Sequence, residues 1–98
     1  MKEAKKAEGL FYTLNGIHET FDPRSNLFIQ ARFENGVMHG AYREFYDEEK
    51  KKTRTEGRFE DGMRQGVWTM YDRRSRVESV EIFNRGEILE RTLYDDEE

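Results

Sequence analysis

The chain has 98 residues, of which 35% are hydrophobic and 39% charged, with 17 basic against 21 acidic side chains for a net charge of −4. That length allows one small domain with a modest core, and the acidic balance supplies no long-range pull toward DNA, RNA or an anionic membrane. There is no cysteine, which excludes a disulfide framework and a thiolate metal site and fits a reducing compartment.

In chain order, the first segment is MKEAKKAE, residues 1–8, whose Ala, Lys and Glu favour a helical turn too short to hold alone. It lacks the apolar run of a signal peptide, and no stretch approaches a membrane span; the expectation is a cytoplasmic protein. From Gly9 onward, short β-branched or aromatic runs alternate with turn residues. Strands are predicted over Leu10–Leu14, Ile17–Phe21, Leu27–Glu34, Ala41–Tyr46, Thr53–Glu60, Val67–Tyr71, Val77–Asn84 and Ile88–Tyr94. The organisation is thus an N-terminal extension (1–8), one all-β domain (9–95) and an acidic tail (96–98). Lys50, Lys51, Lys52 and Arg54 form a basic cluster that reads as a solvated turn.

The runs repeat. An aromatic followed by Asp recurs as Phe21-Asp22, Tyr46-Asp47, Tyr71-Asp72 and Tyr94-Asp95, with steps of 46 − 21 = 25, 71 − 46 = 25 and 94 − 71 = 23 residues. That period suits one supersecondary unit per repeat. RFENG (32–36), RFEDG (58–62) and IFNRG (82–86) keep step, as do Gly16, Gly40 and Gly66, each followed two residues later by His18, Tyr42 or Trp68. Asp22-Pro23 opens a type I turn, while Asn35-Gly36 and Asp61-Gly62 supply the positive φ of a hairpin turn.

If NGVMHG and DGMRQG are loops that close symmetrically, Glu34 pairs with Ala41, Phe33 with Tyr42, Glu60 with Val67 and Phe59 with Trp68. Phe83 then faces Thr92. Alternation puts Ile29, Ala31, Phe33 and Thr55, Gly57, Phe59 on an apolar face, and Gln30, Arg32, Glu34 and Glu56, Arg58, Glu60 on a charged one. In the last unit Val80 and Ile82 replace charged residues, and Glu81 stands where Ala31 and Gly57 stood. A local apolar patch at Val80, Ile82 and Leu93 is expected, a candidate partner surface.

The runs Ile29 to Asp47 and Thr55 to Asp72 resemble MORN repeats, most closely the variant form of bacterial YwqK-like antitoxin components. The resemblance spans about Gly16 to Asp95, with two good copies and degraded ones at each end. It implies a single-layer antiparallel meander of about seven or eight strands with one β-hairpin per repeat. By position, Gly36, Gly40, Gly62, Gly66 and Gly86 would be turn glycines, and Phe33, Tyr42, Phe59, Trp68 and Phe83 stacked aromatics. Two departures, Glu90 in place of a second glycine after Gly86 and Glu81 at the small-residue position, make the C-terminal hairpin a cap or an interface. The resemblance further implies an antitoxin that neutralises a protein by binding it, or a lipid-associated or scaffold protein.

Other chemistries find less support in the residues. His18 holds the aromatic position of its unit and His39 lies in a predicted loop, with no third ligand at metal-binding spacing. Carboxylates such as Glu34 and Glu60 fall on a water-exposed face, where nothing separates their pKa values for acid–base work. NGVMHG and DGMRQG lack the Lys-Ser/Thr ending of a phosphate loop. Arg32-Phe33, Arg58-Phe59 and Tyr42-Arg43 place ring and guanidinium on opposite faces, unlike a nucleobase-stacking platform. The expected function is therefore a non-enzymatic protein-binding module without cofactor or metal, its partner another protein or a second copy; a membrane lipid is the alternative, with Lys50, Lys51, Lys52 and Arg54 as its contact.

Overall fold

The computed structural model describes residues 14–94. They form one antiparallel sheet of seven strands in sequential order: β1 (Gly16–Asp22), β2 (Leu27–Glu34), β3 (Val37–Phe45), β4 (Thr53–Glu60), β5 (Met63–Tyr71), β6 (Val77–Asn84) and β7 (Glu87–Leu93). No helix occurs among the described residues. The radius of gyration, 15.8 Å, exceeds the roughly 13 Å of a compact domain of about 100 residues, as a single open layer requires. The N-terminal helical turn, all but the last residue of the strand predicted over Leu10–Leu14, and the acidic tail lie outside the described residues.

The two kinds of turn account for two of the repeated markers. On one side of the sheet, Asn35-Gly36, Asp61-Gly62 and Arg85-Gly86 have positive φ at both positions, the two-residue turn whose twist matches that of the flanking strands. On the other side lie longer turns anchored by the Asp of each aromatic-Asp pair. Asp22 accepts the Arg24 N–H at 3.0 Å, Asp47 the Lys52 N–H at 2.8 Å, and Asp72 the Arg74 and Arg76 N–H groups at 2.8 and 3.0 Å. These are the Asx contacts that let a short polar side chain replace a backbone turn bond.

The pairing within each hairpin differs from the symmetric-loop expectation. Glu34 pairs with Val37 and Phe33 with Met38, then Ala31 with Tyr42; Glu60 pairs with Met63 and Phe59 with Arg64, then Glu56 with Thr69. The reason is that both turn residues adopt positive φ, so pairing resumes at once. Gly40 and Gly66, at φ 111° and 77°, sit inside β3 and β5 and absorb a bulge. In the last hairpin Phe83 faces Ile88 rather than Thr92, and Val80 faces Thr92.

Most of the core is a row of side chains on one face; on the other, Phe45 is buried beside its β2 partner Phe28, whose ring meets Phe21 at 4.7 Å. His18, Ala31, Tyr42 and Gly57 are neighbours across β1 to β4, and the Trp68 ring lies against Gly57. Large and small residues alternate, so each ring fills the space above a small neighbour. Ala31, Trp68 and Phe83 are buried. Tyr42, Phe59 and Trp68 have ring centroids 5.1 to 5.4 Å apart, within the range where tilted and edge-on pairs attract. Trp68 also donates its Nε1–H to the Arg58 carbonyl at 3.2 Å.

A further device ties successive hairpins together. The turn glycines Gly36, Gly62 and Gly86 donate N–H to the carbonyls of Leu14, Met38 and Arg64 in the preceding unit, at 2.8 to 2.9 Å. The residues just before them, Asn35, Asp61 and Arg85, donate N–H to the side chains of Asn15, His39 and Gln65. Each of these three acceptors immediately precedes a repeat glycine.

Candidate functional site

Three surfaces emerge from this sheet. The aromatic face carries Phe33, Tyr42, Phe59, Trp68 and Phe83, with His18 packing edge-on against Phe33 at 5.7 Å and Trp68 against Phe83 at 6.2 Å. Arg64 lies over Trp68 and Phe83 at 4.9 and 5.4 Å from the ring centroids, within cation–π range. Burial, reinforced by a 2.7 Å hydrogen bond donated to Glu44, pushes the Tyr42 phenol well above its ordinary pKa, so it remains a neutral donor. A hollow of about 380 Å³ opens beside it, lined by Leu14, His18, Ile29, Ala31, Phe33 and Met38 among others.

The opposite face carries a polar ladder. Glu19, Gln30, Arg43 and Glu56 are successive cross-strand partners. Gln30 donates to Glu19 at 3.1 Å, Arg43 lies 4.0 Å from Glu56, and the Tyr71 hydroxyl donates to Glu56 at 2.6 Å. That last bond, helped by burial, raises the Tyr71 pKa, and the bonds that Glu19 accepts from Gln30 and from Lys50 lower its own. Paired charges of this kind on an open face contribute little to stability.

The third surface is the edge strand β7, in which every residue is exposed. Leu89 and Leu93 are 62% and 71% exposed. Across from it, Glu81 is accommodated at the small-residue position because Arg91 pairs with it at 2.7 Å.

No family model, curated protein or solved structure matches the chain.

The structure separates the expected apolar patch. Val80 and Ile82 pair with Thr92 and Glu90, whereas Leu93 pairs with Ser79, one position out of phase. Leu93 thus shares the face of Ser79 and Glu81, and Val80 and Ile82 share the opposite face with Val67, the partner of Ile82. The five glycines named from the repeat divide into turn positions (Gly36, Gly62, Gly86) and bulge positions (Gly40, Gly66). The aromatics meet along the face rather than as one pair per hairpin, for Tyr42 contacts both Phe59 and Trp68.

The basic cluster is tied into the fold at several points. Lys50 pairs with Glu19 at 3.3 Å, Lys52 donates to the Arg73 carbonyl at 3.2 Å, and Arg54 binds Glu78 at 2.6 Å and the Tyr46 hydroxyl at 3.2 Å. His18 donates its Nε2–H to the Asn15 carbonyl at 2.8 Å, and His39 accepts the Asp61 N–H on Nδ1 at 3.1 Å. His39 is therefore a turn anchor rather than a bystander in a loop. Among the described residues no group of three or more His, Asp or Glu side chains is placed to hold a metal ion.

Sequence reasoning missed the acceptors Asn15, His39 and Gln65 and the Glu81–Arg91 pair. A usable signal existed for the first: a side chain able to accept a hydrogen bond precedes Gly16, Gly40 and Gly66 alike.

Proposed function

We propose that the chain is a non-enzymatic, MORN-like interaction module that acts by binding another protein. The observation that carries this reading is the single layer itself: among the described residues no second layer covers the sheet, and large apolar side chains remain exposed on both faces and along β7, including Ile17, Val67, Leu89 and Leu93. A sheet with exposed apolar residues and an unpaired edge invites a cover. The resemblance to YwqK-like antitoxin components makes neutralisation of a toxin by occlusion the specific form of the proposal, an argument by analogy.

Binding of a lipid surface is the alternative suggested by Lys50, Lys51, Lys52 and Arg54. The pairing of Lys50 with Glu19 and of Arg54 with Glu78 favours the protein-binding reading, because these cations already have counter-charges.

The test is affinity capture by the tagged full chain at low and high salt, followed by reconstitution from purified components. A protein held at high salt that re-forms a stoichiometric complex supports the module, and protection from that protein's toxicity on co-expression supports the antitoxin form. Recovery of the chain alone, together with co-sedimentation on anionic vesicles, would replace it with the lipid reading.

A further inference from the structure

Inside the sheet, β3 and β5 each meet the next strand through the same three features. Gly40 faces Phe59 and Gly66 faces Phe83; Tyr42 faces Gly57 and Trp68 faces Glu81; and His39 and Gln65 accept an N–H from the following turn. Counting from the turn glycine, the matching positions of β7 are Leu89, Glu90 and Thr92. Leu89 has no acceptor, Glu90 lacks the positive φ of Gly40 and Gly66, and Thr92 has no ring. The bulge also shrinks: between β6 and β7 one extra residue is absorbed, whereas β3 and β5 each absorb two. The outer edge of β7 is thus not shaped to receive another repeat of this kind.

What that edge presents is aliphatic and acidic. Leu89 and Leu93 are largely exposed, as are Glu87 and Glu90. Arg91 is the one cation of the strand, and Glu81 holds it at 2.7 Å on the aromatic face. Glu90 and Thr92 lie on the other face, opposite Ile82 and Val80. An added strand places its residues directly opposite those of the edge, with main-chain bonds giving affinity and alternate side chains giving selectivity.

Building on the protein-binding reading, we infer that β7 is a strand-docking edge for an extended partner segment that is aliphatic on the face meeting Leu93 and carries lysine or arginine opposite Glu90. Charge complementarity selects this occupant, since cross-strand charge pairs of opposite sign are favourable and like charges are not.

The test titrates the full chain with two capped peptides, one alternating valine with lysine and one alternating valine with glutamate, by heteronuclear NMR. The lysine peptide should shift the amides of β7 and bind more tightly than the glutamate peptide, by about fivefold for one cross-strand charge pair. Glu90→Lys should reverse that preference, and Leu93→Lys should weaken both peptides while amide spectra of β1 to β5 stay unchanged. Equal binding of the two peptides, no binding, or shifts confined to the aromatic face would overturn the inference. So would a dimer in sedimentation that Leu89→Lys dissociates, because a second copy would then cover β7. If the protein captured as above binds wild type and Leu93→Lys equally, the strand-docking inference falls while the module reading stands; if no protein partner exists, the module reading falls with it.

Discussion

Gly57 and Trp68 share one volume: the indole ring occupies the place where a β-carbon at position 57 would stand. Trp68 reaches 4% exposure in a one-layer sheet through this arrangement, because the ring lies flat on the backbone of the neighbouring strand. Gly57→Ala must displace the ring, and overpacking of this kind costs about 2 kcal/mol. For a domain of this size that lowers Tm by about 10 °C, with the Trp68 emission shifting to the red. An unchanged Tm and emission would contradict the packing described.

The turn anchors make a separable prediction. His39 accepts the Asp61 N–H, and the equivalent acceptor in the next unit is Gln65. His39→Gln should therefore keep the bond and most of the stability, whereas His39→Leu leaves the turn N–H without its partner and should cost about 1 kcal/mol. Urea denaturation of the two variants distinguishes the anchor from a surface residue, for which both changes would be neutral.

Acid should weaken the long turns. The Lys52 N–H holds the Asp47 carboxyl below its ordinary pKa, and the Arg76 N–H does the same for Asp72. A depressed folded-state value means the folded state favours the carboxylate, so this stabilisation is full above the unfolded value of about 3.9 and is lost as pH falls through the folded one. The urea midpoint should decline below about pH 4, and less steeply in the Asp47→Asn, Asp72→Asn double variant. Identical pH profiles would sink the assignment.

Thr55 offers a gain. It is 6% exposed, and its Oγ1 has no hydrogen-bond partner among the described residues. Thr55→Val keeps the shape and removes a desolvated hydroxyl, so stability should rise by about 1 kcal/mol. A loss of that size would show that the hydroxyl is satisfied in solution.

Much of the architecture was legible because a hairpin repeat writes its turns into local sequence. Asn35-Gly36 and Asp61-Gly62 mark the tight turns and Asp47 and Asp72 the long ones, each through backbone chemistry confined to a few residues. Strand alternation likewise placed Ala31 and Thr55 on the buried face. The candidate surfaces were less legible. The patch of Val80, Ile82 and Leu93 joins residues whose relative face depends on whether a bulge absorbs one residue or two, a choice made by pairing across the sheet.

The sequence by itself determined the number of strands from Ile17 onward, their antiparallel order and the sites of the tight turns at Asn35-Gly36 and Asp61-Gly62, though not the restart of the strands at Val37 and Met63 rather than Ala41 and Val67. Only the tertiary structure decided the register behind Gly40 and Gly66, the service of His39 as an anchor for the next turn, and the pairing of Glu81 with Arg91. His39 serves a turn 22 residues further on, and the other two outcomes depend on how many residues a bulge absorbs inside a hairpin, which local propensity does not specify.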